Sequence, residues 1–184
     1  MENLKLNTPL TIDEIDFRVQ SINKGGYATI LAYKDARVDM NRLDAVYGVG
    51  FWQKKYDVIN DNLFCSVGVW NTLLNQWVWV QDVGTESNTE KEKGQASDAF
   101  KRACFNLGIG RELYDYPIIQ IKLEPTEFKI EQYQGKDIVK PTFEFKLKDW
   151  TWFSQFDENG KLNYLACKDQ NGKARFTWGT YVKP

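Results

Sequence analysis

The sequence predicts an α+β fold, in which an antiparallel β-β-β-α core with flanking helices precedes a β-rich C-terminal extension. Runs over residues 51–59, 63–70 and 76–83 are rich in β-branched and aromatic residues and are separated by short turns, which predicts an antiparallel meander. Apolar residues at helical spacing follow over residues 89–107. Hairpin signals then recur beyond residue 123.

Three elements are predicted before this core. Thr11 and Glu14 form a capping-box pattern, and the apolar residues that follow at three- and four-residue steps predict a helix over residues 12–21. The run from Tyr27 to Tyr33 is β-branched and aromatic, which predicts a strand. A second helical pattern is short and is expected to end at Gly48.

The helix over residues 89–107 has an apolar face and a polar face. The adjacent cations Lys101 and Arg102 point about 100° apart, so one side of the helix presents both of them. Small residues on the apolar face should let the helix approach the sheet closely, and these are Ala96, Ala99 and Ala103. A basic helix delivered by a strand indicates a polyanion site, and an ordinary helix covering a sheet is the alternative.

The extension is predicted to contain two hairpins, which follow an edge strand predicted over residues 118–123. The first pairs residues 128–133 with 138–147 across a Gln-Gly-Lys-Asp turn, and the second pairs 162–166 with 174–178 across a turn containing Asn-Gly. We therefore divide the chain into a core domain over residues 1–123 and a β-rich extension over residues 124–184.

Composition narrows the classes of function. The 184 residues include no histidine, which removes Ser-His-Asp and Cys-His catalysis and imidazole metal ligands. The three cysteines lack CxxC spacing, so buried free thiols are expected instead of a zinc site or a disulfide framework. The net charge of −1 provides no domain-wide basic excess, so a nucleic-acid site would require local segregation of charge.

Two kinds of site have weak support in the sequence. The glycine clusters match no phosphate-binding fingerprint, so no nucleotide cofactor is expected. Four acids could gather around Mg²⁺, although solvated acids in a loop and at a helix start are the favoured interpretation; they are Asp82, Glu86, Glu90 and Asp98. We expect no metal.

Cations and aromatic residues form the stronger candidate set. Single-stranded nucleic acid is held by cations that contact phosphates and by planar groups that stack on bases. The candidate cations are Lys101, Arg102, Arg18, Lys91, Lys93, Lys54, Lys55 and Arg37, and the candidate aromatics include Tyr27 and Tyr33. Solvated surface lysines and core aromatics are the alternative, and composition leaves the two interpretations nearly even.

The residues around the basic helix resemble a known family. The run Val83-Gly84, a polar spacer, and then residues 90–94, 96–103 and 105–108 resemble the signature helix of the Rad-fifty-two (Rad52) family of single-strand annealing proteins, which the Sak-type phage recombinases share. Upstream matches occur in the family's order, at Arg18, Gly25-Gly26, Arg37-Val38, Tyr47-Gly48 and Trp52. The resemblance covers roughly residues 10–116.

This resemblance implies an ATP-independent protein that binds and anneals single-stranded DNA in recombination and repair, acting as an oligomeric ring without cofactor or metal and not as an enzyme. It implies that Lys101 and Arg102 hold the DNA backbone, that Arg18 lies in the same groove, and that Tyr27 or Tyr33 lines it. The family often carries a third cation three positions after the pair, and here that position is Phe105.

The expected partners are single-stranded DNA, further copies of the chain in a ring, and a single-strand-binding protein or an exonuclease. No membrane association is expected, because the sequence has no long apolar run and no signal peptide. We expect a cytoplasmic protein, in the bacterial host cytoplasm if a phage encodes it. The alternatives are a non-annealing nucleic-acid module resembling a double-stranded RNA binder and a metal-dependent nuclease.

Overall fold

The computed structural model describes residues 5–85 and 91–183, with the side chain of Lys91 outside that description. Two α-helices and eleven strands occur in the described residues. In chain order they are β1 (Asp16–Ile22), β2 (Tyr27–Tyr33), α1 (Ala36–Tyr47), β3 (Trp52–Ile59), β4 (Asn62–Asn71), β5 (Gln76–Val83), α2 (Lys91–Asn106), β6 (Ile119–Lys122), β7 (Phe128–Tyr133), β8 (Lys136–Pro141), β9 (Thr151–Phe156), β10 (Leu162–Lys168) and β11 (Ala174–Gly179).

The chain divides into two compact units. The first contains the residues up to Leu10 together with Lys34–Arg111, and the second contains Thr11–Tyr33 and everything from Glu112 onward. The boundary predicted between residues 123 and 124 therefore falls inside the second unit. The predicted α+β class with mostly antiparallel sheets is confirmed.

The first unit is a three-stranded antiparallel sheet in the order β3-β4-β5, with α2 packed on one face. The central strand supplies Cys65 and Val67 to the core, and both are fully buried. From α2, Ala99 and Phe100 are buried against the sheet. The predicted meander followed by an amphipathic helix is thus confirmed. Both elements could be predicted because their sequence patterns are local and strong.

The helix α1 also lies in the first unit and has clear end signals. The carboxylate of Asp35 accepts a hydrogen bond from the backbone N–H of Arg37 at 2.8 Å, which caps the first turn. Gly48 ends the helix with φ of 91°, as predicted. Leu43 is buried, so the helix is held by packing as well as by its caps.

The second unit contains the sheet β1-β2-β6, the hairpin β7-β8 and the sheet β9-β10-β11. One hydrophobic core joins the two three-stranded sheets, with Ile30, Ile121 and Leu165 buried at its centre. The rings of Phe17 and Trp152 stack with centroids 3.6 Å apart. The C-terminal strands and the strands β1, β2 and β6 are therefore parts of one compact unit.

The helix predicted over residues 12–21 is wrong. Only one 3₁₀ turn forms, at Ile12–Glu14, where the Glu14 carboxylate accepts from the Thr11 backbone N–H at 2.9 Å. The chain then becomes strand β1, which pairs with β2. The apolar residues Ile15, Phe17 and Val19 alternate, so they serve a strand as well as a helix, and pairing with β2 decides the outcome.

The predicted hairpins both form, with one strand shorter than expected. The strand predicted to run to residue 147 ends at Pro141, because proline cannot donate to a further ladder. The turn uses Gln134 and Gly135, both with positive φ. Strand β9 was not predicted, because its aromatic and polar residues mix without a clear period.

The cysteines are free and buried, as predicted. Burial raises the pKa of the Cys65 thiol to about 11 and that of Cys167 to about 12, and it raises the pKa of Cys104 as well. These thiols are therefore protonated near neutral pH. In the part of the chain that the structure describes, no helix is long and apolar enough to cross a membrane.

Candidate nucleic-acid interface

Three polar side chains of α2 hold the end of strand β5. They lie at positions 95, 98 and 102, which share one face of the helix. The contacts are Gln95 Nε2 to the carbonyl of Gly84 at 3.2 Å, the backbone N–H and hydroxyl of Thr85 to Asp98 Oδ2 at 3.0 Å each, and Arg102 Nε to Asp82 Oδ1 at 3.1 Å. The helix is therefore tied to the end of β5 and to the two residues after it over about two turns.

Gly84 permits this close approach. A Cβ added at Gly84 would lie 2.2 Å from the backbone oxygen of Gln95 and 2.8 Å from the backbone nitrogen of Ala99. No side chain fits in that space, so the Val-Gly pair that opens the family signature has a direct steric reason. This agrees with the prediction that small residues let α2 approach the sheet, because Ala99 and Ala103 are fully buried on the helix.

Lys101 and Arg102, the basic pair, differ in their surroundings. The Arg102 side chain is 40% exposed and forms its ion pair with the 23% exposed Asp82, which also accepts from Asn106 Nδ2 at 3.4 Å. Lys101 is half-buried and forms no ion pair with any residue in the described ranges. Lys101 is thus available to an anionic ligand directly, whereas Arg102 must weaken its contact with Asp82.

A buried ion pair lies beneath the basic pair. The ammonium of Lys34 contacts the carboxylate of Asp39, and their side chains are 1% and 0% exposed. Lys34 Nζ also lies 3.4 Å from the carbonyl oxygen of Lys101. Burial lowers the pKa of Lys34 and raises that of Asp39 from 3.8 to about 6. No sequence pattern predicts this pair, because a lysine before a helix usually lies on the surface.

Phe105 occupies the position of the family's third cation. Its ring centroid lies 4.3 Å from Lys34 Nζ, which is a cation–π contact. A positive charge is therefore retained under this turn of α2, but it is buried and cannot reach a phosphate. The carbonyl of Phe105 accepts from Arg111 Nε at 3.1 Å and Nη2 at 2.9 Å, which caps the end of the helix.

The lysines of β3 separate to opposite faces of the sheet. Lys54 Nζ lies 4.5 Å from the ring of Phe100, on the face that α2 covers. Lys55 points to the other face, where its Nζ lies 5.3 Å from the ring of Trp79. Because neighbouring residues of a strand alternate, only Lys54 shares a face with the basic helix.

The structure gives fewer contacts for the other predicted DNA-binding cations of the first unit, which are Arg37, Lys93 and Lys91. Arg37 Nε pairs with Asp35 Oδ1 at 2.8 Å, and its side chain is 80% exposed. Lys93 is exposed in the first turn of α2. The predicted contact of Lys91 concerns a side chain outside the described residues.

Arg18 and both candidate tyrosines belong to the second unit. The guanidinium carbon of Arg18 lies 5.3 Å from the centroid of the Tyr33 ring, a cation–π contact between β1 and β2. Tyr27 instead lies beside Lys122, whose Nζ is 4.6 Å from its ring centroid. Arg18 is therefore adjacent to Tyr33 and not to Tyr27.

Two of the four acids weighed as metal ligands have other partners. Asp82 pairs with Arg102, and Asp98 accepts two hydrogen bonds from Thr85. Glu86 and Glu90 lie outside the described residues. No group of three or more His, Cys, Asp or Glu side chains able to hold a metal ion occurs within the described ranges.

Comparison with known families identifies one matching family. The family described as "Rad52/22 family double-strand break repair protein" matches residues 3–130. The chain belongs to the Rad52/22 family. The match includes the basic helix, Arg18 and Phe105, and it confirms the resemblance to Rad52 proteins inferred from the signature helix. It leaves most of the β7-β8 hairpin and the sheet β9-β10-β11 outside the matched range.

Two curated relatives of this Rad52/22 family chain are bacterial. The "Single-stranded DNA-binding protein DdrA" of Deinococcus radiodurans is 33% identical over 116 residues, which are 61% of this chain and 54% of the relative. The protein of the same name from Deinococcus deserti is 34% identical over 116 residues, covering 61% of this chain and 56% of the relative. The chain thus spans about half the length of the curated relatives it matches. No solved structure matches it.

Proposed function

We propose that this protein binds single-stranded DNA and anneals complementary strands in recombination and repair, as a ring-shaped homo-oligomer without ATP or a metal. Membership of the Rad52/22 family and the names of the two relatives support DNA as the ligand. Lys101 and Arg102 contact the phosphates in this proposal, and the other predicted cations extend the site.

The observation that carries the proposal is the rigid mounting of α2. Three side-chain contacts fix the helix to the end of β5, so the basic pair is presented in a defined position before any ligand arrives. Preorganised cations bind an anionic chain without first losing side-chain and backbone freedom. Because these contacts go to phosphates, binding would not depend on base sequence.

Tyr33 is the tyrosine that we assign to the DNA path. Its ring lies against the guanidinium of Arg18, and the resemblance to the family implies a role for Arg18 in the groove. Arginine stacked on an aromatic ring offers both a charge for a phosphate and a plane for a base. Tyr27 has Lys122 beside it and serves as the comparison residue, so Tyr33→Ala should reduce binding more than Tyr27→Ala.

Annealing follows from binding alone in this proposal. A strand held along its phosphates loses its hairpins and keeps its bases exposed to a complementary strand. Pairing is then downhill and needs no catalytic group. An exonuclease that produces single strands, or a single-strand-binding protein that coats them, is the kind of partner that would supply the substrate.

An exposed apolar edge supports self-assembly. Strand β3 is an edge strand of the first unit's sheet, with Val58 71% exposed and Ile59 43% exposed. Phe51, just before the strand, is 58% exposed. Edge strands with exposed apolar residues are normally covered, because they otherwise promote aggregation. A second copy of the chain is the cover that we propose.

The DNA assignment is tested by Lys101→Ala combined with Arg102→Ala. The double variant should lose single-strand binding in fluorescence anisotropy, whereas loss of the partly exposed Arg102–Asp82 ion pair should lower the free energy of unfolding by only about 1 kcal/mol. The matched control is Lys136→Ala combined with Lys161→Ala, which removes two exposed lysines with no ion pair in the described chain. Equal binding by both double variants would refute the role of α2.

Assembly and annealing need a second experiment. Electron microscopy with and without single-stranded DNA should show rings, and Val58→Lys should disperse them while Ile130→Lys, at an exposed position of β7, should not. Annealing of complementary strands should proceed in EDTA without ATP. Selective binding of double-stranded RNA without annealing, or Mg²⁺-dependent cleavage, would instead establish one of the alternative functions.

A further inference from the structure

A basic cleft lies in the second unit and is formed partly by residues outside the region that the family match covers. Its volume is about 410 Å³, and it is lined by Phe17–Val19 of strand β1 and by residues of the segment 141–149, which we call the crossing segment. The family match ends at residue 130. The crossing segment therefore lies outside the family match, and the proposed function assigns it no role.

Cations dominate the cleft. Arg18, Lys146 and Lys148 line it, against the single carboxylate of Asp149. None of the three cations forms an ion pair with a residue in the described ranges. Other cations of the same unit are neutralised by acids, namely Lys24, Lys129, Lys140, Lys173 and Arg175. The cleft therefore brings together three cations that have no ion pair with any described residue.

The crossing segment is anchored so that its lysines face outward. Phe145 and Leu147 are 8% and 9% exposed and belong to the core of the unit. The rings of Phe145 and Trp150 meet edge to face with centroids 5.3 Å apart. Lys146 lies between these two anchors and is exposed. Its ammonium is thus carried by a fixed backbone and not by a free loop.

An exposed aromatic residue accompanies these cations. Phe143 is in the same segment and is 83% exposed. A phenylalanine with that exposure gains nothing from the hydrophobic core. A cationic cleft with an exposed ring in the same segment is the combination that single-stranded nucleic acid uses, because cations hold the backbone and rings stack on bases. An acidic peptide would use the cations and would leave the ring without a partner.

We propose that the crossing segment is a second contact for single-stranded DNA, in which Lys146 and Lys148 bind backbone phosphates beside Arg18 and Phe143 stacks on a base. This inference rests on the proposed function. Lys148 also borders a neighbouring cleft that contains Asp13 and Asp16, so Lys146 provides the larger share of the attraction. The C-terminal part of the chain then lengthens the DNA path, in addition to any role in assembly or partner recruitment.

The test is Lys146→Ala combined with Lys148→Ala in the full chain, with binding of an unstructured single strand measured at several salt concentrations. Each lost phosphate contact should reduce the magnitude of the negative slope of log K, the association constant, against log salt concentration by about 0.7. The slope of the double variant should therefore be less negative by up to about 1.4. Affinity at 0.1 M salt should fall by roughly tenfold or more. Phe143→Ala should weaken binding without changing the slope.

The control keeps this proposal separate from the proposed function. The variant with Lys136→Ala and Lys161→Ala loses the same charge from the same unit, outside the cleft, and should keep nearly the wild-type slope. If wild-type protein binds DNA and the Lys146/Lys148 variant keeps its slope, the second contact is refuted while the function stands. If wild-type protein does not bind, the function itself fails. Loss of a polyglutamate peptide's binding, with unchanged DNA binding, would assign the cleft to an acidic protein partner.

Discussion

Arg102 donates from Nε to Oδ1 of Asp82 at 3.1 Å, so one member of the basic pair is already bound to an acid of its own chain. This contact orients the guanidinium and fixes α2 to β5. It also competes with any phosphate that approaches Arg102. The same residue therefore has a structural role in the free protein and a binding role in the proposed complex.

Replacing Asp82 with Asn should raise the affinity for single-stranded DNA. Asn keeps an oxygen that can accept from Arg102, but it removes the opposing charge. We expect affinity at 0.1 M salt to rise by roughly threefold to tenfold and the salt slope to steepen by up to about 0.7, measured by anisotropy. Asp61→Asn, which removes an exposed carboxylate in the β3–β4 turn, is the control for net charge. Equal effects from both substitutions would show that Asp82 does not restrain Arg102.

Gly84→Ala should strongly destabilise the protein. The added Cβ would lie 2.2 Å from the backbone oxygen of Gln95, so α2 must move away from β5 and the three polar contacts must lengthen. We expect a loss of about 3 kcal/mol or more in the free energy of unfolding, measured by urea denaturation. Gly50→Ala is the control, because a Cβ there meets no atom within 4 Å and introduces only the strain of φ at 90°. Similar losses at both glycines would contradict the steric explanation.

The sequence predicted the parts of the fold whose signals are local. The period of β5 and α2 and the glycine at the end of each helix were sufficient for those elements. The strand β1 was missed because its apolar residues fit two periods, and only pairing with β2 distinguishes them. Such pairing joins distant residues and leaves no mark in a short window.

In the candidate site, too, the features with local signals were predicted and those that depend on distant residues were missed. Lys101 and Arg102 were predicted from their position on one helix, whereas the partner Asp82 is twenty residues away in the sequence. Burial of Lys34 depends on how α1 and α2 pack, so no local pattern could reveal it. Sequence reasoning thus identified which residues carry charge and missed which charges are already paired.

Lys34→Met should make stability depend strongly on pH. In the wild type, the pKa of Asp39 is raised from 3.8 to about 6. The stabilising contribution of its protonation to the folded state is therefore fully present below about pH 4 and is lost as pH rises through about 6. Removing Lys34 removes the attraction that opposes this rise. The pKa should then increase further, and the loss should extend above pH 6. We expect a cost of about 3–5 kcal/mol at pH 7 that shrinks on acidification.

The measurement is the free energy of unfolding between pH 4 and pH 8. The variant with Lys34→Met and Asp39→Leu is the control, since it buries no charge at either position. It should recover to within about 2 kcal/mol of the wild type at pH 7, and this pH dependence should disappear. A pH-independent loss in Lys34→Met alone would show that lost packing, and not an unpaired carboxylate, causes the effect.

The effect of Phe105→Arg on the free energy of unfolding should change sign with the residue at position 34. In the wild type it restores the third cation of the family pattern, but it replaces a ring 4.3 Å from the Lys34 ammonium with a like charge. We therefore expect about 1–3 kcal/mol of destabilisation instead of a simple gain in DNA affinity. With Lys34→Met in place, that like-charge repulsion is gone and the new guanidinium adds to Lys101, which already favours the charged form of Asp39, so Phe105→Arg should stabilise. A double-mutant cycle by urea denaturation measures this coupling, and additive effects would mean that Phe105 and Lys34 do not interact.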